Sequence, residues 1–146
     1  VTPDNLPEFL HWFFNASDIQ PVWLCPIRLR DGVDKLVGSG DIASDSADPW
    51  PLYPLRPGQT WVNVGFWSGV DGDHVDSSAP NNGAFNRVIE SKVNELGGHK
   101  SLYSEAFYSR EKFEELYGGS LPASIKAVTD PHDRFPGLYE KTVDEA

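Results

Sequence analysis

The stretch from Gly97 to Tyr117, GGHKSLYSEAFYSREKFEELY, gathers the side chains of this sequence best suited to chemistry. Two glycines stop one helix, and Arg110 opens the next. Between them lie His99, Lys100, Tyr103 and Tyr108. Ionisable and aromatic groups thus converge on a connection between two rigid elements, where binding and catalytic sites are often built. A tyrosine hydroxyl in such a place can donate a proton. The same pattern suits ordinary packing, with Tyr103 and Tyr108 as core aromatics and Lys100 as a surface charge, and pattern alone favours that reading.

Other chemistries find less support. His11, His74, His99 and His132 share no metal-ligand spacing. Asp71, Asp73 and Asp76 crowd a glycine-containing loop, but the glycine and terminal glutamate of an EF-hand loop are missing, so a solvated turn is the better account. Asn15-Ala16-Ser17 matches a glycosylation acceptor, with no secretion signal to make it meaningful. Cys25 sits in an apolar run and reads as a small buried hydrophobe. There is no G-x-G-x-x-G after a strand, no Walker loop and no G-x-S-x-G elbow, so the chain has no recognisable nucleotide cradle or serine nucleophile.

The elements that must position the candidate residues follow from periodicity. Leu6, Phe9, Leu10, Phe13 and Phe14 recur at helical spacing and predict a helix over Asn5 to Asn15, with Asn5 and Glu8 as a capping box and Pro7 in the first turn. So apolar a helix needs something to lie on, which suggests a piece of a longer chain. Val22 to Leu29 predicts a strand buried on both faces, and Pro26 within it demands an edge or a bulge. Thr60 to Trp67 predicts a strand with Val62, Val64 and Phe66 on one face and Trp61, Asn63, Gly65 and Trp67 on the other. A helix follows with the stripe Phe85, Val88, Ile89, Val93 and Leu96, ended by Gly97-Gly98. A strand-like piece is expected around Ser101 to Phe107. Ser109 then caps a helix through Tyr117, and further helices are expected over Leu121 to Val128 and Pro136 to Asp144. Long Gly-, Pro- and Asp-rich stretches at Arg30 to Gln59 and Ser68 to Asn82 separate these elements. The fold class is α+β, a small antiparallel sheet with helices packed on one side.

Composition narrows the partners. A net charge of -10 opposes nucleic acid and anionic lipid, since both need clustered Lys and Arg. The single cysteine forbids an internal disulfide and suits a cytoplasmic setting. No run approaches the length of a membrane span, although membrane association through a preceding part of a longer chain would be compatible. Five Trp, five Tyr and eight Phe suit a core or a flat apolar ligand site.

Taken in order, VWLCP at Val22 to Pro26, WVNVGFW at Trp61 to Trp67, Leu102-Tyr103, Tyr108, REKFEELYGGSL at Arg110 to Leu121 and FPGLYEK at Phe135 to Lys141 resemble the FAD-linked oxidase family, typified by vanillyl-alcohol oxidase. The resemblance is nearest to the C-terminal third of its Δ24-sterol reductase group and covers nearly the whole chain. It implies that residues 1–146 form a C-terminal, cap-like substrate domain. FAD would be held mostly by an N-terminal FAD-binding domain of the same polypeptide, with NADPH as electron donor in the reductases. The segment around Tyr103, Tyr108 and Arg110 is carried over with the resemblance, and His99, Lys100 and Arg110 are the candidates to approach the cofactor. Lys100 would stabilise the negative charge of a reduced flavin. Tyr103 or Tyr108 would supply a proton, and Trp61, Asn63 and Trp67 would line a pocket for a small, largely apolar alkene or alcohol. His99-Lys100 and the acidic loop Asp31 to Asp48 depart from the sterol reductase pattern. The competing expectation is a free-standing α+β ligand-binding or interaction module without redox chemistry. Cut from its neighbour, the chain is expected to self-associate.

Overall fold

The computed structural model describes residues 1–29, 53–56, 58–67 and 83–144. Helix α1 spans Leu6–Ala16, strand β1 Val22–Arg28, strand β2 Thr60–Phe66, helix α2 Ala84–Glu95, helix α3 Arg110–Leu116 and helix α4 Leu121–Thr129, before a π-helical turn at Glu140–Asp144. This is an α+β arrangement around a small antiparallel sheet, as the sequence implies. The acidic loop at Asp31 to Asp48 and the Asp71, Asp73 and Asp76 cluster lie outside the described residues.

The first core forms where α1 and α2 meet the sheet. Phe9 and Phe13, one helical turn apart, are buried with Ile19, Phe85, Ile89, Val93 and Leu96, and Val22, Val64 and Phe66 of the sheet pack against them. The Phe13 ring lies 4.7 Å from that of Phe66, centroid to centroid. The two helices are also tied by polar contacts. Asn5 was expected to cap α1, yet its own backbone is already helical, at φ -93° and ψ -7°, and its side chain makes no cap bond. It donates instead to the Leu96 carbonyl at the end of α2, 2.8 Å away, and Glu8 accepts from Lys92 of α2 at 2.9 Å. Gly97, at φ +65°, takes the left-handed turn that ends α2.

β1 and β2 pair antiparallel with Val22 opposite Phe66, Pro26 opposite Val62 and Arg28 opposite Thr60. On its other side Val62 exchanges two bonds with Val1, its N–H to the Val1 carbonyl at 2.8 Å and its carbonyl to the Val1 amine at 3.2 Å. Since the polar groups of Val62 point away from β1, its partner Pro26 sits at a non-hydrogen-bonded position of the ladder and the missing proline N–H faces outward. Pro26 is therefore an edge residue, as its chemistry requires. The expectation that β1 is buried on both faces is not met. Trp23, Leu24 and Ile27 are exposed: Leu24 shares the helix side of the sheet with Val64 but is left partly uncovered, and Trp23 and Ile27 lie on the opposite face with Trp61.

The second core is aromatic. Ala106, Tyr108, Phe113 and Tyr117 are buried, with Tyr53, Leu102, Tyr139 and Val143 packed around them. Ser109 caps α3 as expected, its Oγ accepting the Lys112 N–H at 3.3 Å. Residues Ser101 to Phe107 form no strand. Their backbone bonds go elsewhere, from the Ala106 N–H to the Thr142 carbonyl and from the Phe107 N–H to the Glu90 carboxylate. Cys25 is half-buried rather than enclosed.

Candidate functional site

The connection from Gly97 to Ser109 is pinned from below by one buried carboxylate. Glu90, 4% exposed on α2, holds Lys100 Nζ at 3.1 Å and accepts the Phe107 N–H at 3.0 Å. Lys100 Nζ also donates to the Glu105 carbonyl, and the Tyr117 hydroxyl donates to the Lys100 carbonyl. Arg87 donates to the Phe107 carbonyl at 3.0 Å and lies over its ring at 4.9 Å. The span between Lys100 and Ala106 is left as a raised turn with Tyr103 near its tip.

His99 points inward. Its ring lies 5.0 Å from Tyr53, 5.4 Å from Trp61 and 6.4 Å from Tyr117, edge to face in each case. Burial among these rings, and then the positive charge of the N-terminal amine, lowers its pKa from 6.5 to about 4, so the imidazole is neutral at physiological pH. Tyr108 is buried beside the Tyr117 hydroxyl and the Lys100 carbonyl. That carbonyl is already taken by Tyr117, and among the described residues the Tyr108 hydroxyl makes no well-formed hydrogen bond. Burial first, and the Glu90 charge second, push its pKa up to about 12. Tyr117 is raised further, again by burial and then by the neighbouring tyrosines. Arg110 sits apart, paired with Glu140 at 2.6 Å and stacked on Tyr139 at 4.2 Å.

The sheet face bearing Trp61, Asn63 and Trp67 divides along its length. Trp61 is buried against His99, and its indole N–H has no partner among the described residues. Asn63 is half-buried. Trp67 is 79% exposed and meets Tyr103, 81% exposed, edge to face with 6.4 Å between ring centroids. Trp23, also exposed, lies over Gly65; a side chain there would start 3.3 Å from the Trp23 ring, so glycine leaves room for the indole to lie flat. The outcome is an open aromatic shelf of Trp23, Trp67 and Tyr103 at one end of the sheet and an enclosed aromatic cage of Tyr53, Trp61, His99 and Tyr117 at the other.

The residues singled out from sequence therefore fall into four settings. Tyr103 joins Trp67 on the shelf, His99 joins Trp61 in the cage, Lys100 and Tyr108 share the Glu90 clamp, and Arg110 is engaged by Glu140. Asn63 lies between shelf and cage. Glu90 and Tyr117, which organise this region, were not singled out. The signal for Glu90 was its place one residue beyond Ile89, on the flank of the α2 stripe, with a lysine beyond the helix end to neutralise it. Among the described residues no group of three His, Cys, Asp or Glu side chains is placed to hold a metal ion. No helix among them is long and apolar enough to cross a membrane.

No family model matches the chain, and no solved structure does. Its sequence is similar to that of Delta(24)-sterol reductases. It is 26% identical to the Rattus norvegicus protein over 136 residues and 24% identical to the Homo sapiens protein over 137 residues, in both cases over 93% of this chain. It is 25% identical to a Delta(24)-sterol reductase homolog of Caenorhabditis elegans over 145 residues, 97% of the chain. The chain spans only 22% to 23% of the length of these relatives. The motif order read from the sequence is thus part of a similarity that runs nearly from end to end.

Proposed function

We propose that the chain is the C-terminal, substrate-side portion of an FAD-dependent oxidoreductase, and that its aromatic shelf is the wall against which a flat, largely apolar substrate lies. The observation that carries this reading is the Trp67–Tyr103 pair. Two large rings left four-fifths exposed, in edge-to-face contact at the end of a sheet, form an apolar surface with a phenol at its rim. The similarity to sterol reductases supplies the substrate class, a fused-ring lipid with an isolated double bond. Tyr103 is the only one of the two candidate proton donors whose hydroxyl reaches the surface, and it is the one we place against the substrate.

Among the described residues, those singled out for the cofactor offer it little. The cations that a flavin or its pyrophosphate would need are engaged, Lys100 by Glu90 and Arg110 by Glu140, and His99 is neutral. These residues do not fit an anion site, and no redox step is assigned to them. A role for Lys100 beside a reduced flavin would require the Glu90 pair to open. On this reading FAD, and NADPH where it serves as donor, are bound by another domain of the same polypeptide.

The test is expression of the uninterrupted reading frame that contains this chain. The product should be yellow, and a Δ24-unsaturated sterol should shift its flavin spectrum. Trp67→Ala with Tyr103→Ala should abolish that shift and retain the flavin, with stability changed by less than about 0.5 kcal/mol, as for exposed sites generally. A colourless protein would overturn the flavoenzyme reading in favour of a free-standing binding module.

A further inference from the structure

The two edges of the sheet are not equivalent. In the antiparallel ladder, hydrogen-bonded and non-hydrogen-bonded pairs alternate. With Val62 turned toward Val1, the register places Val64 and Phe66 in the same phase, so their N–H and C=O groups also point away from β1. Neither group has a partner among the described residues. On the outer edge of β1 the corresponding row runs through Val22, Leu24 and Pro26, and proline interrupts it. A proline at an outward position blunts an edge against further pairing. The β2 edge carries no such guard from Val62 to Phe66.

Val1 sets direction as well as position. Two residues that exchange both N–H···O bonds form an antiparallel bridge, so chain leading into Val1 runs alongside β2 toward Phe66. We propose that this edge accepts a third strand, and that the strand is the segment of polypeptide directly preceding Val1. In register, the residue two before Val1 exchanges both its bonds with Val64, and the residue four before Val1 does so with Phe66. The occupant is recognised by backbone rather than by side chain, the general mode of strand addition. This inference rests on one half of the functional reading, that the chain is part of a longer polypeptide, and not on the flavin.

Amide hydrogen exchange tests it. In the 146-residue chain the Val64 and Phe66 amides should exchange readily, while the Val62 amide, bonded to Val1, is protected. In a chain extended by its native preceding residues both should slow by at least about a hundredfold, as for amides in a closed ladder. Proline placed two residues before Val1 should return the Val64 amide to fast exchange, while proline placed immediately before Val1 leaves it slow. The Val62 amide reports in each case that β2 is intact. Unchanged exchange at Val64 and Phe66 in the extended chain overturns the proposal, as does a gene whose reading frame opens at Val1. Protected amides in a colourless protein would sink the flavin reading and leave this one standing.

Discussion

Around Phe13 the chain packs Phe9, Ile19, Phe85, Ile89, Val93 and Leu96, side chains with no polar atom among them. Around Tyr117 it packs Phe113 together with Tyr108, Tyr53 and His99, which carry hydroxyls and an imidazole, and closes them with a buried ion pair. The first core is held by area removed from water. The second must satisfy each polar group it encloses, and among the described residues it offers the Tyr108 hydroxyl and the Trp61 N–H no well-formed partner. Burying such groups without partners costs free energy. One core is built for stability, whereas the other accepts a cost in order to hold the raised turn that carries Tyr103.

The largest expected effect falls in the first core. Phe13 is 0% exposed and touches rings on α1, α2 and β2. Phe13→Ala should cost about 4 kcal/mol, from lost transfer energy and the cavity left behind. Urea unfolding measures it. A loss under about 1 kcal/mol, the range of a surface change, would mean that the helices do not close on the sheet and that the contrast between the cores is false.

The second effect is smaller and local. Glu90→Ala strands Lys100 and frees the Phe107 N–H, and breaking a buried pair from one side costs about 3 kcal/mol. Glu90→Gln keeps an acceptor for the Phe107 N–H and should cost less. What distinguishes this change from Phe13→Ala is where it acts. Exchange at Ser101 to Phe107 should accelerate and the Trp67–Tyr103 contact should loosen, with α1 amides unaltered. Equal acceleration throughout the chain would mean that the two cores open as one unit.

Much of the first region was legible in the sequence and little of the second. α1, α2, α3, α4 and β2 lie within about a residue or two of where hydrophobic period and Gly, Pro and Ser punctuation place them, a normal margin for helix and strand ends. Pro26 announced an edge or a bulge because it lacks a donor, whatever its neighbours are, and the register settles it as an edge of the described sheet. Asn5 did not announce its bond to Leu96, nor Glu90 its hold on Lys100, because periodicity states which side of an element a residue faces and not what stands opposite. The same limit explains the sheet face. Trp61 and Trp67 share it by alternation, but one end is closed by His99 and the other is open, and that difference depends on a segment distant in sequence. Ser101 to Phe107 resembled a strand in composition; its hydrogen bonds run instead to side chains and to Thr142, which no local pattern encodes.

The smallest expected effect separates the cores by pH. His99 is held neutral in the folded chain, with its pKa lowered to about 4 from 6.5 by burial among Tyr53, Trp61 and Tyr117 and by the N-terminal amine. Between those two values the unfolded chain binds a proton that the folded chain refuses. Stability therefore rises with pH across this window, is complete above 6.5, and is lost progressively as pH falls toward 4. At pH 5 the loss relative to pH 7 should reach about 2 kcal/mol. The carboxyls of Asp130 and Glu140 are also depressed, by backbone N–H bonds and by Arg110 respectively, and they weaken the fold in the same direction. Their contribution begins only as pH falls through the ordinary carboxylate range, so the interval from pH 7 to 5 belongs chiefly to the imidazole. The buried side chains of the first core do not titrate; the Val1 amine packed beside them is lowered from its ordinary 8.0 by burial and adds slope of the same sign in parent and variant alike. Melting curves of the parent chain and of His99→Phe at pH 7 and pH 5 isolate the effect. The parent should melt at a lower temperature at pH 5, and the variant should lose markedly less between the two. A parent chain indifferent to this interval would show that water reaches His99, and the cage would then be as open as the shelf at the other end of the sheet.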